Sequence, residues 1–181
     1  MPYGPSICDK FNHFFIGEFV IPDWCHEFGP VTLAGDLTNS PIKKITIQSY
    51  KKERVGGVYF QSEMDNLKPS TRIKVFGFRL KSRSICTNSE IMKFMDDCGC
   101  RYFGINGLIL TCELLNEKLC LYPFTWAVSF CGPERNKLNV CGIPRVPIAF
   151  KSKDSDRFEI HNGSLSGIWN KNFLFLGFQL Y

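Results

Sequence analysis

The chain has 181 residues, 44% of them hydrophobic, and carries 22 basic against 17 acidic residues for a net charge of +5. That length suits one ordinary domain with a core of its own, and the composition excludes a disordered or low-complexity chain. No apolar run approaches the roughly 18 to 20 residues that cross a bilayer as a helix, so any membrane contact is expected to be peripheral.

Phenylalanine alone contributes 17 residues, an excess that suits a sheet-rich fold or a protein that meets partners through apolar surface. Nine cysteines are an odd number, and "MPYGPSICDKFNHFF" lacks a basic region followed by an apolar one. No secretory leader and no disulfide framework are expected, which places the chain in a reducing compartment. The charge is polarised along the chain. Up to residue 40 the single basic residue, Lys10, faces Asp9, Glu18, Asp23, Glu27 and Asp36, whereas residues 43 to 83 hold 11 lysines and arginines against Glu53, Glu63 and Asp65. Such an interval attracts phosphate, on nucleic acid or on anionic lipid, although a run of charge is equally often a solvated face.

Residues 1–40 are interrupted by Pro2, Pro5, Pro22, Gly29, Pro30 and Gly35 around the alternating run "FNHFFIGEFVIP". They read as an N-terminal arm with an edge strand, and residues 41–181 as one globular domain. "KKITIQSYKK" followed by Gly56, Gly57 and "VYFQSEM" suggests a hairpin with lysines at both ends of its first strand. "STRIKVFGFRLKSRS" reads as a further strand, with Gly77 marking a bulge or a close backbone approach.

In "CTNSEIMKFMDDCGC", Thr87 and Glu90 form a capping-box pattern, Ile91, Phe94 and Met95 fall on one helical face, and Gly99 is placed to end the helix. From Tyr102 the pattern is read as strands, "RYFGINGLILTCELL" and "KLCLYPFTWAVSF", with Asn106-Gly107 as a turn or bulge. "GPERNKLNVCGIPRVPIAF" reads as loop, and Asn162-Gly163 as a hairpin turn. The final "NFLFLGFQLY" is apolar on both strand faces, so it is either buried on both sides or paired with another copy. The expected fold is α+β, an antiparallel sheet packed against one or two helices with a small C-terminal hairpin subregion.

Cysteine spacing offers C-x-C at Cys98 and Cys100 and an adjacent Cys25-His26, without a second pair at metal spacing. Structural thiols filling space outweigh zinc, and no metal site is expected; Cys112, Cys120, Cys131 and Cys141 sit in apolar runs as buried cysteines do. The histidines, His13, His26 and His161, stand beside no nucleophile motif. Asp96 and Asp97 diverge by about 100° on a helix and read as solvated rather than as a general acid and base. No catalytic residue and no cofactor are expected.

The candidate phosphate-binding residues are Lys43, Lys44, Lys51, Lys52, Arg54, Arg72, Lys74, Arg79, Lys81 and Arg83. Tyr50, Tyr59, Phe60, Phe76 and Phe78 lie among them, a mixture that can bind single-stranded nucleic acid by stacking, although strand alternation buries most such rings.

The run "IKVFGFRLKSRS", a helix opening on "NSEIMKF", the aromatic-glycine stretch "RYFGINGLILTCELL" and the ending "SLSGIWNKNFLFLGF" together resemble rhabdovirus matrix proteins over residues 73–114 and the last 20. The resemblance implies a non-enzymatic structural protein that self-associates, binds and condenses the helical nucleocapsid, and links it to the envelope. Its implied partners are the viral nucleoprotein-RNA complex, further copies of itself, the anionic inner leaflet and a glycoprotein tail. Its implied location is the virion beneath the envelope, with host cytoplasm and the cytoplasmic face of host membranes. Phe14, Phe15, Phe19, Phe173, Phe175 and Phe178 are the candidates for self-contact. The arm lacks the lysine-rich, proline-motif character of animal-virus members, which points to the plant-infecting, cytorhabdovirus-like branch. The rival expectation is a soluble RNA-binding accessory protein such as a silencing suppressor, and a third is an enzyme that would need a bound metal.

Overall fold

The computed structural model describes residues 10–22, 32–33, 58–59, 63–81, 85–130, 132, 139–140, 143–151, 158–164 and 168–181. In chain order the elements are β1 (Phe11–Val20), β2 (Thr32–Leu33), β3 (Val58–Tyr59), a 3-10 turn (Glu63–Asn66), β4 (Arg72–Leu80), α1 (Asn88–Asp97), β5 (Arg101–Tyr102) and α2 (Gly104–Leu114). There follow α3 (Asn116–Leu119), β6 (Trp126–Ser129), β7 (Asn139–Val140), β8 (Ile143–Lys151), β9 (Phe158–Ser164) and β10 (Phe173–Leu180). The main sheet runs β1-β4-β10-β6-β8-β7, with β5 also against β10 and β9 also against β8; β10 and β6 are parallel and the other pairs antiparallel. The fold is α+β.

Strand alternation explains why this sheet is covered on both sides. Leu174, Leu176 and Phe178 of β10 join Ile73 and Val75 of β4 in one apolar cluster, which Ile105, Leu108 and Ile109 of α2 complete. Phe175 joins Phe78 and Leu80 in a second cluster, completed by Ile91, Phe94 and Met95 of α1. The two helices therefore lie on opposite faces. Each fully buried phenylalanine contributes about 1.5 to 3 kcal/mol, so β10, central and apolar on both sides, anchors the molecule.

The start of α1 is fixed by side chains. The Thr87 amide donates to the Glu90 carboxylate at 2.8 Å, and the Glu90 amide donates to the Thr87 hydroxyl at 3.3 Å. Lys10 reaches the other carboxylate oxygen at 2.6 Å, tying the residue before β1 to the helix. Gly99, at φ 69°, adopts the left-handed conformation that ends α1. Met95 then rests directly on Gly177, where a Cβ would stand 2.8 Å from the methionine methyl.

Three sequence expectations are corrected. Residues 104–114 are helical, not a strand, and Asn106-Gly107 lies inside α2. A short apolar run without alternation does not distinguish a strand from a helix buried all round, and α2 is the latter, with residues from Ile105 to Cys112 buried on several sides. The segment read as loop contains β8, despite Pro144 and Pro147. Pro147 lies just outside the ladder with β6, which takes Ile148, Ala149 and Phe150, so its missing N–H breaks no bond there. Asn162 and Gly163 are paired within β9, opposite Pro147 and Val146, and do not form a turn. The C-terminal hairpin is made by β8 and β9 and extends the main sheet through β6.

The chain at 73–80 is a strand and that at 88–97 a helix, as expected. The bulge suspected at Gly77 sits in the partner strand. The β1 register shifts between Phe15 and Gly17, and the Ile16 side chain covers Gly77. The first strand of the lysine-flanked hairpin, "KKITIQSYKK", lies outside the described residues; Val58 and Tyr59 pair with Leu33 and Thr32.

Candidate functional site

Of the ten basic candidates, Arg72, Lys74, Arg79 and Lys81 are described, and Lys43, Lys44, Lys51, Lys52, Arg54 and Arg83 lie outside the described residues. Alternation along β4 and into Lys81 sorts the four. Arg72 and Lys74 share a face with Phe76, Phe78 and Leu80, whereas Arg79 and Lys81 share the parity of Ile73 and Val75. They do not form one continuous stripe. Arg79 donates from Nε to the Lys171 carbonyl at 2.8 Å, which orients it toward the turn before β10.

The Arg72–Lys74 group is the better-built site. Tyr181, which follows β10, lies with its ring under both cations, 4.3 Å from Lys74 Nζ and 5.4 Å from the Arg72 guanidinium carbon. Cation-π contacts of this kind are worth about 0.5 to 1 kcal/mol at an exposed site and hold two like charges together. The ion pairs among the described residues are Lys10–Glu90 and Lys93–Asp97, so neither Arg72 nor Lys74 is neutralised by one. Next along the same face stand Phe76, His13 and Phe15. The His13 ring stacks on Phe78 and tilts against Phe76, both at 4.9 Å, and Phe15 meets Phe76 edge-on at 5.8 Å. Burial against these rings holds the His13 pKa below its ordinary value. Phe15 is 52% exposed and Tyr181 61% exposed. Glu18, opposite Lys74 in the ladder, brings the acidic charge on this half of the face.

The self-contact candidates divide by burial. Phe19, Phe175 and Phe178 are core residues, which corrects their assignment as contact surface: each is enclosed by its own chain and has no area left for a second copy. Phe173 is half-buried against Trp169 at 4.7 Å, and Phe14 is half-buried against Tyr122 at 5.1 Å. Phe15 alone of the six is largely exposed.

The remaining chemistry is structural in character. Burial pushes the thiols of Cys86 and Cys100 up to about 12, and raises that of Cys112, so these are protonated space-fillers. Cys120 is half-buried. Among the described residues no three of His, Cys, Asp and Glu are grouped to hold a metal ion. Asp96 accepts from the Tyr102 hydroxyl at 2.7 Å while Asp97 pairs with Lys93, so the two carboxylates have separate partners. Trp169 donates its indole N–H to Asn88 and pairs by backbone with Cys86, fixing the stretch before β10 to the start of α1.

The sequence reading missed Tyr181, His13 and Glu18 as members of the Arg72–Lys74 face. Parity counting along β1, β4 and β10 could have grouped them, but only once the order of those strands was known. Comparison of the chain with protein-family models, curated proteins and solved structures finds no significant match.

Proposed function

We propose that the chain is a non-enzymatic viral structural protein of the rhabdovirus matrix type, which self-associates, condenses a helical nucleocapsid and links it to an anionic membrane face. The sequence resemblance supports this reading, and β4 followed by the capped α1 agrees with it, whereas the strand that the resemblance implies after Tyr102-Phe103-Gly104 is the helix α2. The observation that carries it is the pair Arg72 and Lys74, held side by side on the sheet without an ion-pair partner among the described residues. Each copy supplies a few weak phosphate contacts, and assembly multiplies them into avidity.

Charge reversal at Arg72 and Lys74, combined with Lys43, Lys44, Lys51 and Lys52, is expected to abolish co-sedimentation with nucleocapsid and with phosphatidylserine vesicles while the circular dichroism spectrum is retained. Unchanged co-sedimentation refutes the reading. The second reading, a soluble RNA-binding accessory protein, is favoured by the exposed Phe15 on the same sheet face as Arg72 and Lys74. Size exclusion across salt separates the two, since a matrix protein polymerises at low salt and an accessory protein stays small.

A further inference from the structure

The half of the sheet face that α1 leaves open combines flat rings with cations in an order set by the pleat. Descending β4 on that side, Phe76, Lys74 and Arg72 follow at every second residue, a row about 14 Å long at roughly 6.8 Å per step. Phe15 flanks Phe76 from β1, directly opposite it in the ladder, and Tyr181 flanks Arg72 and Lys74 from the end of β10. Phe15 leaves a large aromatic surface in water on a strand that buries Phe11, Ile16 and Phe19, and Val20, opposite Arg72 in the ladder, is exposed as well. Two cations are too few for one copy to hold a bilayer, since lipid surfaces select clusters of about four to eight cations or a broad apolar face, so membrane attachment falls to the assembled copies. Duplex nucleic acid is a poor match too, since its bases are stacked inside and offer no face to a ring. A flexible polymer that alternates planar apolar groups with single negative charges matches both the rings and the cations.

We propose that this half-face binds single-stranded nucleic acid, the bases stacking on the exposed Phe15, which the half-buried Phe76 braces edge-on, while Arg72 and Lys74 neutralise the phosphates. Tyr181 is a positioning residue that gathers the two cations. Glu18, opposite Lys74, limits the net attraction, so binding is moderate in one copy and depends on bases as much as on charge. The inference rests on the polyanion-binding reading above and names the polymer that this site takes.

The test uses the full chain with three probes of equal length or charge: a labelled oligoadenylate, an abasic strand with the same phosphates, and heparin. Oligoadenylate is expected to bind at least about fivefold more tightly than the abasic strand. Phe15→Ala should remove that preference and Phe15→Trp should keep it, with heparin binding unchanged in both. Arg72→Gln with Lys74→Gln should flatten the log-log salt dependence by about 0.7 per cation lost, for oligoadenylate and heparin alike. Equal affinity for oligoadenylate and the abasic strand, or a Phe15→Ala protein that keeps the preference, overturns the stacking inference and leaves polyanion binding standing. Failure to bind any of the three overturns both. Phe15 lies half in solvent on an edge strand, so its replacement leaves the core intact, and a matched thermal melt checks this.

Discussion

Replacing Gly107 by alanine pits two opposed effects against each other, and the geometry decides between them. In a helix interior the change is ordinarily favourable by about 1 kcal/mol. Here an added Cβ would stand 2.0 Å from Phe103 Cδ1, 2.4 Å from Cγ and 2.7 Å from Cβ. The ring has no room to turn aside, because Phe103 is fully buried and stacked between Phe19, at 6.4 Å, and Phe178, at 5.1 Å. Its Cβ cannot retreat without moving the backbone that enters α2. Overpacking of this kind costs about 1 to 3 kcal/mol and sometimes more, and expelling the ring costs about 3 to 5. The net expectation is a loss of about 2 to 4 kcal/mol, read in urea as a lower midpoint at an unchanged slope. Adding Phe103→Ala to Gly107→Ala should cost less than the sum of the two single changes, because the two closest clashing atoms, Phe103 Cδ1 and Cγ, are then gone. A Gly107→Ala protein as stable as the parent, or more stable, would refute the packing argument.

Two further outcomes follow from the buried and charged groups. Glu90 is held below the usual carboxylate range, first by its hydrogen bond from Lys10 and next by the Thr87 amide. A depressed pKa contributes stability above the unfolded value, near 4.3, and loses it as pH falls through the lower folded value. Glu90→Gln should therefore lower the denaturation midpoint near neutral pH, with the gap to the parent closing below about pH 4; a gap that widens on acidification contradicts the assignment. Ser129 is fully buried and its hydroxyl has no hydrogen-bond partner among the described residues. Ser129→Ala should be neutral or stabilising by about 1 kcal/mol in the same urea assay, and a clear loss would reveal a partner for that hydroxyl.

Local chemistry was enough to read α1 from the amino-acid sequence. Thr87 and Glu90 cap each other three residues apart, Ile91, Phe94 and Met95 share one face, and Gly99 ends the turn; none of these signals needs a distant residue. The strands around Phe15 and Phe76 were legible for the same reason, since alternation survives without knowledge of neighbours. Residues 104–114 were not, because a run that is apolar on every side carries no period, and only the sheet beneath α2 and the ring of Phe103 over Gly107 make it a helix. Asn162-Gly163 shows the same limit, a favourable turn dipeptide overridden by a ladder with β8.

The basic character of the region from Lys43 to Arg83 is a property of the sequence alone, and so is the exclusion of a membrane-crossing helix by hydropathy. Where its described charges point was decided by tertiary structure. Strand parity sends Arg72 and Lys74 to one side of the sheet and Arg79 and Lys81 to the other, and the insertion of β10 between β4 and β6 brings Tyr181 to the first pair. The same insertion turned Phe175 and Phe178 from candidate contact surface into core. Side-chain type travels with the chain, but exposure depends on which strands become neighbours, and that depends on contacts between residues about a hundred positions apart, such as Gly77 and Leu176.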